Sequence, residues 1–279
     1  MPSQSYQEKL ALAQEGDIHA FQSLFAPFQD RLKSYLYRLT TSRADAEDFA
    51  HDTFIRAFDK LSSFQGRSSL QTWVFQIATN LAYQQLQRRK RWTEEVAEDS
   101  KDLVMDSPAL ISHLETVAAH SPAGSYEIRE HIDTCFTCMS KTLMIDQQVA
   151  LLLKEVYDFS VREIMLILGK SEGQVKYLLQ NSRATLSDIF DRKCALVNQQ
   201  GTCHQCSELN GWLNPKQDQQ AAKLKIKMVR AAQSQDSQAL FQLRLALVKG
   251  IDPLKSNGNE LQEALMNCNR MAAGEMDVP

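Results

Sequence analysis

Glycine and proline are scarce in this chain, which has 10 glycines and 7 prolines among 279 residues. Turn-rich β architectures need many such residues, so their scarcity favours long helices with short connections. No apolar run approaches the roughly 20 residues that cross a bilayer, and the N-terminus lacks a basic stretch followed by an apolar core. The sequence therefore predicts a cytoplasmic protein that does not insert into a membrane.

The chain also lacks a strong charge of either sign. Its formal net charge is -3, so the molecule as a whole is not a general binder of polyanions and any nucleic-acid surface must be local. Two basic segments qualify, residues 88–91 (RRKR) and the spaced cations of residues 223–230. For either segment alone, a solvated helix face is the favoured interpretation. Glycine-rich phosphate loops, HExxH and nucleophile-elbow motifs are missing, so no enzyme is expected.

Apolar residues recur at spacings of three and four through residues 7–92, which is typical of amphipathic helices. Asp17 and Ser42 are placed to cap two of these helices. The helix after Ser42 has an apolar stripe on one side and carboxylates on the other. A polar connector over residues 62–69 leads to a second long helix that begins near Leu70 and ends in the basic run.

The rest of the chain divides into three segments. Residues 93–138 form an acidic linker, with a short helix near residues 109–118. Residues 139–192 contain two capping boxes, Ser160 with Glu163 and Ser171 with Gln174, separated by Gly169; this is the outline of a helix-turn-helix. Ordinary helical hairpins share that outline. Residues 193–279 form a mainly helical tail. The predicted fold is all-α: two small helical domains, over residues 1–92 and 139–192, joined by the linker.

Three stretches together resemble the extracytoplasmic-function group of sigma-70 factors. Residues 45–58 (DAEDFAHDTFIRAF) resemble its polymerase-docking helix, and residues 64–81 (FQGRSSLQTWVFQIATNL) its minus-ten and promoter-melting segment. Three shorter stretches resemble its minus-thirty-five helix-turn-helix: FSVREI (159–164), GKSEGQVK (169–176) and RATL (183–186). The resemblance implies a sigma factor, with core RNA polymerase and promoter DNA as partners and an anti-sigma factor as a candidate third.

The resemblance also assigns residues to each surface. The polymerase-docking set on the first helix is Asp45, Asp48, Asp52 and Arg56. The minus-ten set is Arg67, Ser68, Ser69, Thr79, Asn80, Tyr83, Arg88, Arg89 and Lys90. Within it, Arg88, Arg89 and Lys90 would hold phosphates. In the second unit, helical spacing turns Val175, Leu178, Leu179 and Leu186 inward. The side chains left for the major groove are Ser171, Glu172, Gln174, Lys176, Tyr177, Gln180 and Arg183.

Six cysteines are present, and two Cys-x-x-Cys pairs flank the second domain: Cys135 with Cys138, and Cys203 with Cys206. Two such pairs can form a zinc or dithiol site. The segment from His131 to Cys138 also resembles the zinc motif of many anti-sigma factors. The alternative is that the cysteines are small buried hydrophobes; no cofactor is otherwise required. A helix-turn-helix regulator that acts without polymerase remains the alternative function.

Overall fold

The computed structural model describes residues 5–120, 128–194, 227–231, 235–255 and 259–278. Every regular element within these ranges is a helix, so the predicted all-α fold is confirmed. Among the described helices, none has both the length and the apolar character needed to cross a membrane.

Between residues 5 and 92 the chain forms a helical unit in which each helix packs on its neighbours. Its helices are α1 (Tyr6–Gln14), α2 (Ile18–Thr40), α3 (Arg43–Asp59) and α4 (Leu70–Leu86), with a 3-10 turn at Leu61–Ser63. Both predicted caps are confirmed: Asp17 accepts from His19 N at 2.8 Å, and Ser42 accepts from Asp45 N at 3.2 Å. The core is aromatic, with Phe21 of α2 in ring contact with two phenylalanines of α3.

The acidic segment, interpreted from the sequence as a linker, is largely helical. It contains α5 (Val96–Met105) and α6 (Pro108–His120), and α7 (Ile128–Ser140) runs from it into the second unit. The short helix predicted near residues 109–118 corresponds to α6. Carboxylates lie in the first turn of α5, where they suit the positive end of the helix dipole.

The second unit has the predicted helix-turn-helix. Helix α8 (Ile145–Leu151) continues into a π turn at Leu152–Val156, followed by α9 (Val161–Leu168) and α10 (Glu172–Lys193). Both predicted capping boxes are present, at Ser160 and at Ser171. Gly169 ends α9 with φ 64°, a left-handed conformation that glycine adopts without strain. This turn lets α10 start only three residues later.

The described part of the tail is helical, as predicted. It comprises α11 (Lys227–Ala231), α12 (Ser237–Lys249) and α13 (Asn259–Ala272). Helix α12 packs on α7 and α10, and α13 packs on α5, α6 and α7. A small apolar core joins α13 to α5 and α6; its buried members include Val104, Leu110, Leu114, Leu261 and Leu265. The tail therefore covers the acidic segment.

Candidate nucleic-acid and polymerase interfaces

The solvent face of α3 carries the side chains assigned to polymerase docking. Asp48 and Asp52 are exposed there, and Arg56 is exposed one turn further along. Asp45 is half-buried, and its carboxylate accepts a hydrogen bond from Arg89 Nη2 at 3.0 Å. Asp48, Asp52 and Arg56 can therefore meet a partner directly, whereas Asp45 is already paired within the chain.

The connector before α4 borders a groove of about 680 Å³ between α1, α2 and the start of α4. Ser68 and Ser69 line this groove, and Lys9 lies across it with its Nζ 2.9 Å from Ser23 Oγ. Ser69 also caps α4 by accepting from Thr72 N at 3.0 Å. Arg67 is exposed beside the groove. The groove thus combines an apolar floor with hydroxyl and ammonium groups at its edge.

Thr79 is the one member of the minus-ten set that the structure removes from the surface. Its side chain is 1% exposed, and Thr79 Oγ1 donates to the Phe75 carbonyl at 2.7 Å. A second hydrogen bond of 2.9 Å joins it to the Tyr35 hydroxyl of α2. The expectation that Thr79 contacts DNA is therefore corrected, because its helical position faces α2. Asn80, one residue on, is exposed, and Tyr83 is half-buried.

The basic run at the end of α4 is not uniform. Arg88 and Lys90 are exposed. Arg89 is half-buried and pairs with Asp45 and, at 3.6 Å, with Glu275 from the tail. Arg91 donates to Gln148 Oε1 at 2.6 Å. Two cations of the run are therefore exposed, and the other two are paired with side chains of other elements.

Helix α10 presents the predicted recognition residues to solvent. The exposed members are Ser171, Glu172, Gln174, Lys176, Tyr177 and Gln180. Gln174 Oε1 already accepts from Ser171 N at 2.9 Å, so its carbonyl oxygen is committed to the cap in this state. Lys176 pairs with Glu172 at 2.7 Å, and Arg183 pairs with Glu155. Several of these groups must exchange an internal partner for a base or a phosphate.

The two predicted DNA-binding units are in direct contact, which no sequence pattern predicted. Thr72 Oγ1 of α4 donates to Glu163 Oε1 of α9 at 2.9 Å, and Gln76 Nε2 donates to the Leu166 carbonyl at 2.8 Å. Beneath these bonds, the rings of Phe75 and Phe159 lie 4.9 Å apart. In this conformation α9 covers one side of α4.

The structure describes only part of the predicted cysteine site. Cys203 and Cys206 lie outside the described residues. Cys135 and Cys138 line a cavity of about 20 Å³ together with Cys194, which the sequence reasoning did not single out. Within the described ranges, no three His, Cys, Asp or Glu side chains are grouped closely enough to hold a metal ion. His131 is buried, and burial lowers its pKa to about 4.

Sequence reasoning also missed a set of buried ionic side chains. Arg38 pairs with Asp133 at 2.6 Å, and Lys141 pairs with Glu275 at 3.1 Å. In each pair both side chains are at most 3% exposed. These residues belong to no motif and are separated by about a hundred residues along the chain, so no local pattern could have indicated them.

Two family models match the chain. Sigma-70 region 2 matches residues 24–92, and Sigma-70, region 4 matches residues 134–186. Those two segments coincide with the α2–α4 unit and with the unit that holds the helix-turn-helix. The fold and the matched segments define a protein built on sigma-70 regions 2 and 4.

Curated relatives agree with the family models. The chain is 32% identical over 174 residues to the ECF RNA polymerase sigma factor SigG of Mycobacterium tuberculosis, a match that covers 58% of this chain and 46% of that protein. It is 25% identical over 183 residues to the ECF sigma factor SigW of Bacillus subtilis, covering 64% of this chain and 93% of SigW. The chain thus spans about half the length of SigG and nearly all of SigW.

A solved structure of the sigma factor RpoE with the anti-sigma factor NepR from Bartonella quintana is also similar, at 24% identity over 62% of this chain and 98% of that chain, with a TM-score of 0.44. Over the matched segments the chain is similar to sigma-70 factors of the extracytoplasmic-function group.

Proposed function

We propose that this protein is a non-enzymatic initiation factor that binds core RNA polymerase in the cytoplasm and directs it to promoter DNA. The observation that carries the proposal is the presence of both sigma-70 regions in one chain. Asp48, Asp52 and Gln174, which belong to the predicted contact sets, are exposed, and this supports it. A protein with region 4 alone would fit a DNA-binding regulator equally well. Region 2, with its acidic α3 face, has no purpose in such a regulator.

Docking on polymerase would use the exposed part of α3. Asp48, Asp52 and Arg56 stand on one side of this helix, opposite the aromatic core that fixes it to α2. Exposed ion pairs contribute only about 0.2–1 kcal/mol each. We therefore assign the row of charges to steering and orientation, while adjacent apolar side chains such as Ile55, 43% exposed, supply contact area.

Promoter melting would use the groove beside the connector together with Asn80 and Tyr83. A base that leaves the stack costs a few kcal/mol, and a preformed pocket offsets part of that cost. The groove lined by Ser68 and Ser69 has space for such a base, and Lys9 at its rim can meet a phosphate. Thr79 would act indirectly, by holding α4 on α2 through Tyr35.

Upstream recognition would use the exposed side of α10. The N-terminus of α10 is the positive end of its helix dipole, which favours a phosphate, and Ser171 lies at that end. Gln174 and Gln180 can pair bidentately with adenine once the Gln174 oxygen leaves the cap. Tyr177, 64% exposed, supplies apolar contact area in the groove.

The contact between α4 and α9 indicates how the DNA-free factor would be kept inactive. Both units must reach DNA elements that lie apart on the duplex, so the bonds of Thr72 with Glu163 and of Gln76 with Leu166 would have to open. We assign this packed arrangement to the free factor and separated units to the polymerase-bound one.

Reconstitution with purified core polymerase tests the proposal. The full chain is expected to co-elute with core enzyme and to support initiation on a library of genomic fragments from its host. Sequence-specific DNA binding with no affinity for core enzyme would instead establish the regulator function. A chain that binds neither would overturn both assignments.

A further inference from the structure

The Glu275 carboxylate near the end of the chain is surrounded by cations. Trp92 Nε1 donates to Glu275 Oε1 at 2.8 Å, and Lys141 Nζ lies 3.1 Å from the same oxygen. Arg89 Nη1 lies 3.6 Å and Arg270 Nε 3.9 Å from the other oxygen. The Glu275 side chain is only 3% exposed. One carboxylate therefore sits among three cationic groups contributed by α4, the end of α7 and α13.

The cluster carries more positive than negative charge. Arg91 lies close enough for its charge to be felt by the same carboxylate, and the second carboxylate in this network is Asp45, which pairs with Arg89. Burial lowers the pKa of Lys141 to about 8 and that of Arg91 to about 10, although Glu275 raises both. A single glutamate thus offsets this concentration of positive charge incompletely.

The Glu275 carboxylate also fails to satisfy all the hydrogen-bonding groups around it. Arg89 Nη1, Arg91 Nε and Arg270 Nε are buried without a hydrogen-bond acceptor, and Glu275 Oε2 is buried without a donor. Arg89 Nη1 and Arg270 Nε lie 3.6 Å and 3.9 Å from Glu275 Oε2, beyond hydrogen-bond distance, so the Glu275 carboxylate leaves these donors unsatisfied. A tetrahedral phosphate group offers more acceptors and binds arginine strongly.

Glu275 is held in place by the turn that ends α13. Gly274 ends the last helix with φ 72°, Gly274 N donates to Met271 O at 2.9 Å, and Glu275 N donates to Arg270 O at 2.8 Å. These are the paired bonds of a glycine-terminated helix end. Residues 276–278 beyond it are exposed. Release of this short end would uncover the cations.

We propose that Arg89, Lys141 and Arg270 form a binding site for a backbone phosphate of promoter DNA, and that Glu275 occupies this site in the free protein. Arg88 and Lys90, the neighbours of Arg89 in sequence, are exposed, so a DNA strand held by those two side chains would lie close to Arg89. DNA and the Glu275 side chain compete for one set of cations. This inference rests on the proposed function.

The test is the salt dependence of DNA binding by the full chain. Wild type and Glu275→Gln are titrated with a fluorescent duplex that carries a single-stranded overhang, at several KCl concentrations. Each added phosphate contact steepens the slope of log K against log salt by about 0.7–0.9. Glu275→Gln is expected to bind roughly tenfold more tightly at low salt and with a slope steeper by about one contact. Asp277→Asn, an exposed acid two residues on, is the matched control and is expected to behave as wild type.

A second variant guards against a folding defect. Gly274→Val keeps the carboxylate but strains the left-handed turn that places it. It is expected to reproduce the effect of Glu275→Gln, with unchanged helical circular dichroism, and Arg89→Gln added to either variant should cancel the gain. Equal affinity and slope in wild type, Glu275→Gln and Gly274→Val would overturn the proposal.

Two further measurements distinguish a DNA phosphate from free phosphate as the ligand, and this inference from the proposed function. Inorganic phosphate at constant ionic strength is expected not to displace DNA from Glu275→Gln; displacement at millimolar phosphate would mean a site for the free anion and would overturn the DNA assignment. Initiation by wild type with core polymerase is measured in parallel. If that fails, the proposed function is wrong, whereas intact initiation with no effect of Glu275→Gln refutes this inference alone.

Discussion

Arg38 of α2 and Asp133 of α7 form an ion pair 2.6 Å long in which both side chains are at most 2% exposed. The same guanidinium donates to Ser34 Oγ at 2.8 Å, to the Tyr157 hydroxyl at 3.2 Å and to the Ile251 carbonyl at 3.0 Å. Burial would lower the pKa of Arg38, but the Asp133 carboxylate more than offsets this and raises it. One side chain thereby links the region 2 unit, α7, the second unit and the tail.

The first prediction concerns this pair. Asp133→Ala leaves the buried Arg38 cation without its carboxylate, so the free energy of unfolding is expected to fall by about 3–5 kcal/mol. Urea denaturation followed by circular dichroism measures it. Asp188→Ala is the control, because Asp188 is paired with Arg192 on the surface, where the side chain is 68% exposed. Equal effects of the two substitutions would show that the buried pair does not hold the units together.

Charge reversal on α3 tests the docking face. Asp48→Lys and Asp52→Lys are each expected to weaken binding to core polymerase by roughly two- to fivefold, since each removes an exposed ion pair. Both side chains point away from the core, so thermal stability should not change. Glu47→Lys is the matched control, being exposed on another side of the same helix. A titration of labelled protein with core enzyme measures these affinities. Loss of affinity in Glu47→Lys alone would show that the docking surface lies on the side of α3 that carries Glu47.

Substitutions in the two proposed DNA-binding surfaces should affect different steps, strand opening in one case and upstream binding in the other. Asn80→Ala is expected to impair strand opening, seen by permanganate reactivity, whereas Gln174→Ala should weaken binding to the upstream element by about 1–3 kcal/mol. Gln84→Ala, exposed on α4, is the control for the first substitution, and Gln180→Ala extends the second. Thr79→Val should lower stability through the lost bond to Tyr35 rather than change base preference. Normal melting by Asn80→Ala would mean that the melting segment is misassigned.

His131 should make the fold sensitive to acid. Burial lowers its pKa to about 4, and the Arg244 guanidinium acts in the same direction. An unfolded histidine titrates near about 6.5, so its contribution to stability is present above that pH and is lost as the pH falls toward the folded value.

The measurement is the free energy of unfolding at neutral pH and near about pH 5. Replacing His131 with glutamine is expected to remove about 2 kcal/mol of the difference, at about 1.4 kcal/mol per pKa unit. His113→Gln, exposed on α6, should remove none. An unchanged pH dependence in His131→Gln would show that other groups cause the acid sensitivity.

The zinc or dithiol site at Cys135, Cys138, Cys203 and Cys206 stays a prediction. Protein purified without oxygen should contain one equivalent of metal that Cys203→Ser/Cys206→Ser loses and Cys268→Ala keeps, since Cys268 lies in the small core of α13. Absence of zinc, iron and copper from the wild type, with no mass change on mild oxidation, would leave all four cysteines structural.

Much of the fold could be read from local signals. Asp17, Ser42, Ser160 and Ser171 were identified as caps because an N-cap acts through bonds to residues two or three positions away. The exposed side of α10 followed from its spacing for the same reason. Thr79 was predicted to contact DNA, but it is buried against α2. Helical spacing alone does not show which side of α4 another helix will cover.

The sequence by itself determined the helices, their caps and the family, because these depend on short-range backbone bonds and on motifs that lie within single segments. Only the tertiary structure decided which polar groups are paired inside. In the sequence Arg89 is one cation of a basic run, and only the fold pairs it with Asp45 and Glu275. Such pairs are set by long-range packing, and desolvation makes them strong only after the chain has closed around them.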